Sequence, residues 1–404
     1  MSVKSTDVNI SLKALREPLH LGPMTLRNRV IMASLTRSRA TPVDVANSIN
    51  VEYYRQRAAG GAGLILSEGT LVSMQGTEWP HVPGIYSKEH AEGWRKVIDA
   101  VHSVGGVMFA QLWHVGRVAH PDMPLQKKAG VPVSAPSPIR ARGGKFRQLD
   151  DAPNATPERE HPDPRELVQE FKRAAEYAKQ AGFDGVEFHG KHSNKRTDKW
   201  GGSLENRCRF YVECLKAITE VYDPSLVGIK LNPCGGYNDV GMNEADTKET
   251  FSYIINHCVN IGLAYVQLVR YLPFMDPAFN EEGPQQGNQR SLTHLDVLET
   301  FGPLIRTSHG KTKILLNGNL SAEEADQLVD EGKIDAVVFG RSFINNPDLV
   351  KRLFNGLPLN ESLGYSADPP TFYSFSDRPS QGYSDYPDIK TALGEIMQKA
   401  EAVA

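Results

Sequence analysis

The sequence predicts an α/β protein folded as a (β/α)8 TIM barrel. Short apolar runs alternate with longer helical patterns along the whole chain, the mark of βα units around a parallel sheet. Eight such runs can be picked out, the number that closes a barrel. The chain has 404 residues, 40% hydrophobic and 23% charged, which suits one large soluble barrel with material to spare.

In order, the candidate strands are 29–34, 63–68, 107–113, 185–189, 227–231, 265–269, 313–316 and 335–339. Each is a short run bounded by polar or glycine-containing turns. Helices are expected over 88–104, 164–182, 204–222 and 244–262, where apolar residues recur at three- and four-residue spacing. Pro164 suits a first helical turn, and Gly182 and Gly262 suit C-terminal stops. Two segments exceed a minimal barrel. Residues 117–161, rich in Pro, Gly and basic side chains, read as a long loop after strand three. Residues 357–404 form a C-terminal extension carrying the aromatic tract Thr371-Phe372-Tyr373. Segments after barrel strands collect at the C-terminal face, where barrel enzymes do their chemistry. The expectation is a single domain, with a barrel core over about 19–356 and an active-site extension over 357–404.

A net charge of -3 offers no reason to expect nucleic acid or an anionic membrane as a partner. No apolar run reaches the length of a membrane span, and residues 1–16 lack the apolar core of a secretory signal. Cys208, Cys214, Cys234 and Cys258 fall at irregular spacings without a Cys-x-x-Cys pair, so they read as buried thiols and not as ligands of a metal or cluster. A reducing, cytoplasmic setting follows. Monomer and homodimer are equally compatible with the sequence.

Asn317-Gly318-Asn319 follows strand seven, and Gly340-Arg341 follows strand eight. Barrels often bind phosphate at these two strand ends, through backbone N–H groups, and Arg341 adds a fork of donors. Other motifs stand in a fixed order: Asn28-Arg29-Val30, Leu35-Thr36-Arg37, Tyr53-Tyr54-Arg55-Gln56-Arg57, Ser67-Glu68-Gly69-Thr70 and Gln111-Leu112-Trp113-His114. Further on come Gly201-Gly202-Ser203-Leu204-Glu205-Asn206-Arg207, Phe339-Gly340-Arg341, Asn346-Pro347-Asp348-Leu349 and Gly382-Tyr383-Ser384-Asp385-Tyr386-Pro387. In this order they resemble the Old Yellow Enzyme family of FMN-dependent ene-reductases, over nearly the whole chain.

The resemblance implies tightly but non-covalently bound FMN, reduced by NADPH. It implies that Gln111 meets the pyrimidine edge of the flavin ring, that Gly69 lets the ring approach the backbone, and that Thr36 donates to a flavin carbonyl. Lys230 stands where the family usually has Arg; the charge is kept while the planar, two-pronged contact is lost. Asn317, Gly318, Asn319, Gly340 and Arg341 are then the phosphate cradle. Ser34 stands where many relatives have Pro or Ala, a change the sequence does not explain. Arg140 and Arg142, in the long third loop, are candidates for the extra phosphate of NADPH.

On the substrate side the resemblance breaks. His189 matches the first member of a His/Asn or His/His pair that binds the substrate carbonyl. The second member, and the Tyr that protonates the α-carbon, have no aligned counterpart, because the family loop after strand four is shortened. His189 and His192 are three positions apart, about 10 Å at full extension. His192 or Asn194 is therefore a candidate substitute ligand, and Lys191 a candidate charge. Tyr373 matches a pocket-lining family residue and is a candidate catalytic hydroxyl. Tyr271 and Tyr237 lie in strand-end loops within reach of the mouth, and Trp113 shapes the pocket wall. The favoured reading is a reductase for α,β-unsaturated carbonyl compounds, in the manner of secondary metabolism. The alternatives are a flavoprotein recruited to isomerisation or cyclisation, and a catalytically impaired flavin-binding variant.

Overall fold

The computed structural model describes residues 11–77, 79–140, 159–190, 194–235, 240–273, 294–367, 371–373 and 378–403. Helix α1 (Lys13–Arg16) leads into an antiparallel hairpin, β1 (Leu19–Leu21) and β2 (Met24–Leu26). There follow β3 (Val30–Met32), α2 (Ser48–Ala59), β4 (Leu64–Leu66), β5 (Thr70–Leu71), α3 (Lys88–His102) and β6 (Met108–Trp113). Next come α4 (Pro124–Ala129), β7 (Ser134–Ala135), β8 (Arg159–Glu160), α5 (Pro164–Ala181) and β9 (Gly185–His189). The rest of the barrel is α6 (Leu204–Thr219), β10 (Val227–Leu231), α7 (Glu244–Ile261), β11 (Tyr265–Val269), α8 (Val297–Arg306), β12 (Lys313–Asn317), α9 (Ala322–Asp330) and β13 (Ala336–Phe339). Helices α10 (Ser342–Asn345), α11 (Leu349–Phe354) and α12 (Ile389–Val403) complete the chain.

Among the described residues eight parallel strands close the barrel, in the order β3, β4, β6, β9, β10, β11, β12, β13 and back to β3. Alternate strand residues point inward. Ile31, Leu64, Leu66, Phe109, Tyr265, Leu315, Ala336 and Val338 fill the interior, and Leu19, Leu21 and Leu26 of the hairpin plug its N-terminal end. The outward-facing residues pack against the helices in a second, larger cluster that includes Val186, Phe188, Ile229, Val266 and Phe171. Apolar packing thus fills the bottom and the outside, and leaves the C-terminal mouth for polar groups.

The expected strands are all present, three of them (β9, β10 and β11) with the expected bounds. Helix α5 starts at Pro164, capped by Asp163, and stops at Gly182 with φ 95°; α7 stops at Gly262 with φ 74°. A β-carbon strains such a left-handed backbone, and Gly relieves it. The segment read as one long loop after strand three is more ordered than expected. It carries α4 and the parallel pair β7–β8, while residues 141–158 lie outside the described part. All four cysteines are free and buried. No described helix is long and apolar enough to cross a membrane.

Asp44, in the loop after β3, is fully buried; its Oδ2 accepts from Tyr86 Oη at 3.2 Å, and its Oδ1 has no partner. Burial pushes its carboxyl up to about 7. Between about pH 4, where the acid ionises in an unfolded chain, and pH 7, the folded state holds the extra proton. Stability from this group is therefore lost as pH rises through that window. Its φ of 61° is one that Asn tolerates. Asp44→Asn should gain stability relative to the wild type as pH rises from 4 to 7, and the gap should level off above 8. Thermal melts at stepped pH measure this; a gap independent of pH would refute it.

Candidate active site

A cavity of about 500 Å³ lies across the C-terminal strand ends, within the roughly 300–1,000 Å³ usual for small-molecule sites. Thr36, Gln111, Lys230, Asn317, Gly318, Asn319, Gly340, Arg341, Trp113, His189, Asn194 and Tyr373 all line it. Of the residues singled out from sequence and described here, only Gly69, Tyr271 and Arg140 do not.

At the barrel axis a polar network rises from the apolar interior. Gln111 Nε2 donates to Glu187 Oε1 at 2.7 Å and to Ser34 Oγ at 2.6 Å. Tyr265 Oη donates to Glu187 Oε2 at 3.2 Å, and Lys230 Nζ donates to Ser34 Oγ at 3.3 Å. A carboxylate only accepts, so the Gln111 amide must turn its nitrogen toward Glu187. Both amide hydrogens are then spent, and Oε1 is the edge left for a ligand. Ser34, unexplained by the sequence, holds both Gln111 and the Lys that replaces the family Arg. Burial pushes the Glu187 carboxyl up, opposed by the Lys230 charge and by the Gln111 and Tyr265 hydrogen bonds. It pushes the Lys230 ammonium down, opposed by Glu187.

The strand-end turns stand across the mouth. Gly318 has φ 126°, and a β-carbon there would lie 2.8 Å from Arg270 Cβ, so no side chain fits. Asn319 follows with φ 56°. Such turns present successive backbone N–H groups to an anion. Together with Gln111 Oε1 as an acceptor and with Lys230 and Thr36 as donors, they match FMN: a phosphate tail, and a ring edge that alternates carbonyl oxygens with an N–H.

One wall is aromatic. Tyr373 stacks on Trp79 (5.9 Å between centroids), Trp79 meets Trp113 (5.7 Å), and Trp113 lies parallel to His189 (6.5 Å). Tyr373 reaches the cavity because the C-terminal extension is fastened over the mouth. Arg37 Nε and Nη2 donate to the carbonyls of Phe372 (3.3 Å) and Gly382 (2.5 Å), and Arg39 Nη2 donates to that of Thr371 (2.7 Å). Tyr383 stacks on Tyr53 at 4.0 Å, and Arg57 Nη2 donates to the Tyr383 carbonyl at 3.1 Å. Glu68 accepts the backbone N–H groups of Arg37 (3.0 Å) and Ser38 (3.1 Å), fixing the loop that carries both arginines. Several family motifs are therefore fasteners of the extension.

The structure corrects some expectations. Gly69 lies under the Trp113 indole, where a β-carbon would come within 2.3 Å of the ring, and it does not line the cavity. Tyr271 packs against the outer hydrophobic layer and does not line the cavity. Arg140 is exposed and also off the lining. Asn194 lines the cavity and braces the polar turn: Nδ2 donates to the Trp200 carbonyl (2.6 Å) and Oδ1 accepts from Arg196 N (2.9 Å). One of its two amide hydrogens is used in this way. His192, Lys191, Tyr237 and Arg142 lie outside the described residues.

Glu187, Trp79 and Tyr211 escaped the sequence reading; Ser34 was noted as a departure from the family but given no role. Glu187 shares a strand face with His189, two residues on, and a charged residue inside an apolar run was a usable signal. Trp79 and Tyr211 gave none.

The sequence profile of the NADH:flavin oxidoreductase / NADH oxidase family matches residues 14–360. Flavin oxidoreductase hxnT of Emericella nidulans is 36% identical over 93% of this chain and 98% of its own length. 12-Oxophytodienoate reductase 2 of Arabidopsis thaliana is 34% identical over 93% of this chain and 95% of its own. The solved structure of morphinone reductase superposes with a TM-score of 0.78 at 35% identity, covering 93% of this chain and 96% of that one.

Proposed function

This chain belongs to the Old Yellow Enzyme family, and from that premise we propose that it reduces the activated C=C bond of an α,β-unsaturated carbonyl compound with bound FMN and NAD(P)H. The observation that carries this reading is the shared cavity. Gln111, Lys230, Thr36 and the strand-end turns line it together with His189, Trp113 and Tyr373.

FMN, once bound and reduced by NAD(P)H, would supply hydride for the alkene β-carbon. Gln111 Oε1 would accept the ring N–H, and Lys230 and Thr36 would donate to the ring carbonyls. The Lys230 cation would offset charge on the reduced ring. Asn319, Gly340 and Arg341 would hold the phosphate, with Gly318 leaving the turn its close approach. On the substrate side, His189 donates to the carbonyl oxygen and stabilises the charge that develops there as hydride arrives. Trp113 keeps the imidazole in place and limits how the alkene lies. Tyr373, held by the fastened extension, offers the hydroxyl that protonates the α-carbon. Isomerisation, cyclisation and loss of function, raised by the short loop, are not favoured, because the relatives are named as reductases and flavin oxidoreductases.

The test is direct. The FMN-loaded protein is reduced anaerobically with NADPH and mixed with cyclohexenone while flavin absorbance is followed. Rapid return of the oxidised spectrum is the expected result. A reduced spectrum that persists with every enone tried would overturn the reading.

A further inference from the structure

Along β9, Glu187 and His189 project inward, to the barrel network and the mouth. Phe188 between them projects outward, into the helix layer. There its ring meets Phe171 of α5 edge-on at 5.1 Å and Tyr211 of α6 edge-on at 5.8 Å. Yet Phe188, Phe171 and Tyr211 line the same continuous cavity as Gln111 and Lys230. The cavity therefore does not stop at the mouth. It passes the end of β9 and enters the wedge between α5 and α6, where Leu167 and Phe210 complete its wall.

One polar group facing this wedge has no partner among the described residues. Tyr211 is only 4% exposed, and its Oη makes no hydrogen bond to any of them. Its ring sits against the strand end just beyond His189. A β-carbon on Gly190 would lie 2.5 Å from that ring and 3.1 Å from the hydroxyl, so glycine is what lets the phenol stand there. Arg207, also at the edge of the wedge, is already held by Thr250 Oγ1 at 3.2 Å and by Glu249. A buried phenol left unpaired is unfavourable and becomes favourable when a ligand brings an acceptor. The surrounding aromatic rings favour a flat apolar group.

We propose that the wedge between α5 and α6 is a second substrate chamber, which takes the distal apolar or aromatic part of an elongated enone, with Tyr211 Oη donating to an oxygen that this part carries. The inference rests on the reductase reading, since it extends the same cavity outward from His189. It makes this enzyme selective for long enones over compact ones.

The test compares three probes: cyclohexenone, benzylideneacetone, and its 4-methoxy derivative, whose ether oxygen lies at the far end of the ring. Leu167→Trp fills the chamber and should lower kcat/KM for both aryl enones at least tenfold more than for cyclohexenone. Leu167→Phe should do the same more weakly, and serves if the larger substitution does not fold. Tyr211→Phe should shrink the preference for the methoxy over the unsubstituted aryl enone by about three- to tenfold, the worth of one neutral hydrogen bond. FMN content and melting midpoint establish that each variant is folded. Equal losses on all three probes, or an unchanged methoxy preference, overturn the proposal. If the wild type turns over no enone, it is the reductase reading that has failed. The chamber is then judged by thermal shift with the saturated 4-methoxy ketone: a shift lost in the Leu167 variants sustains it, and no wild-type shift, or an equal one, refutes it.

Discussion

His189→Ala should slow reoxidation of the reduced enzyme by cyclohexenone by about 10²–10³-fold, the usual cost of removing a donor to a developing oxyanion. His189 is well placed to donate: it ends β9, pairs in register with Lys230 of β10, and stacks beside the Trp113 ring. Stopped-flow mixing of pre-reduced enzyme with enone isolates this half-reaction, and FMN content checks that the cofactor site is unharmed. A change below about threefold would remove His189 from the substrate site.

Glu187→Ala should destabilise the fold by about 2–4 kcal/mol, at about 1–3 kcal/mol for each buried donor that loses its acceptor. The carboxylate is fully buried. It takes hydrogen bonds from Gln111 at 2.7 Å and Tyr265 at 3.2 Å, and both bonds would be lost. Gln111 would then be free to turn, so FMN binding should weaken along with stability. Urea denaturation and FMN titration of the apoprotein read the two effects separately. A loss below about 1 kcal/mol would mean that Gln111 and Tyr265 do not depend on Glu187 for an acceptor.

Much of the fold is legible because it is local. Strands β9, β10 and β11 are apolar runs with clear ends, and α5 and α7 carry their own punctuation in Pro164, Gly182 and Gly262. Helix α2 is less legible: its buried face includes Asn50, Tyr53, Tyr54 and Arg57, whose polar atoms blur an apolar stripe. Asn50, Tyr53 and Arg57 are buried because they hydrogen-bond to or stack on the extension more than 300 residues away, as Asn50 does to Tyr383 Oη with a separation of 333. No window of sequence contains both halves of such a contact.

The site divides along the same line. By itself the sequence determined the barrel, the strand ends that line the cavity and the place of His189 among them, because period, turn chemistry and motif order are properties of neighbouring residues. Tertiary structure alone decided which polar groups keep a hydrogen-bonding edge for a ligand. Ser34 lies 77 positions from Gln111 and 196 from Lys230, yet its hydroxyl accepts from both and sets how they face the cavity. Asn194 braces its own turn, and Tyr211 Oη, beside Gly190, is left without a partner among the described residues. Whether a donor or acceptor is available depends on what the fold packs against it, and that is fixed only when distant strands and helices meet.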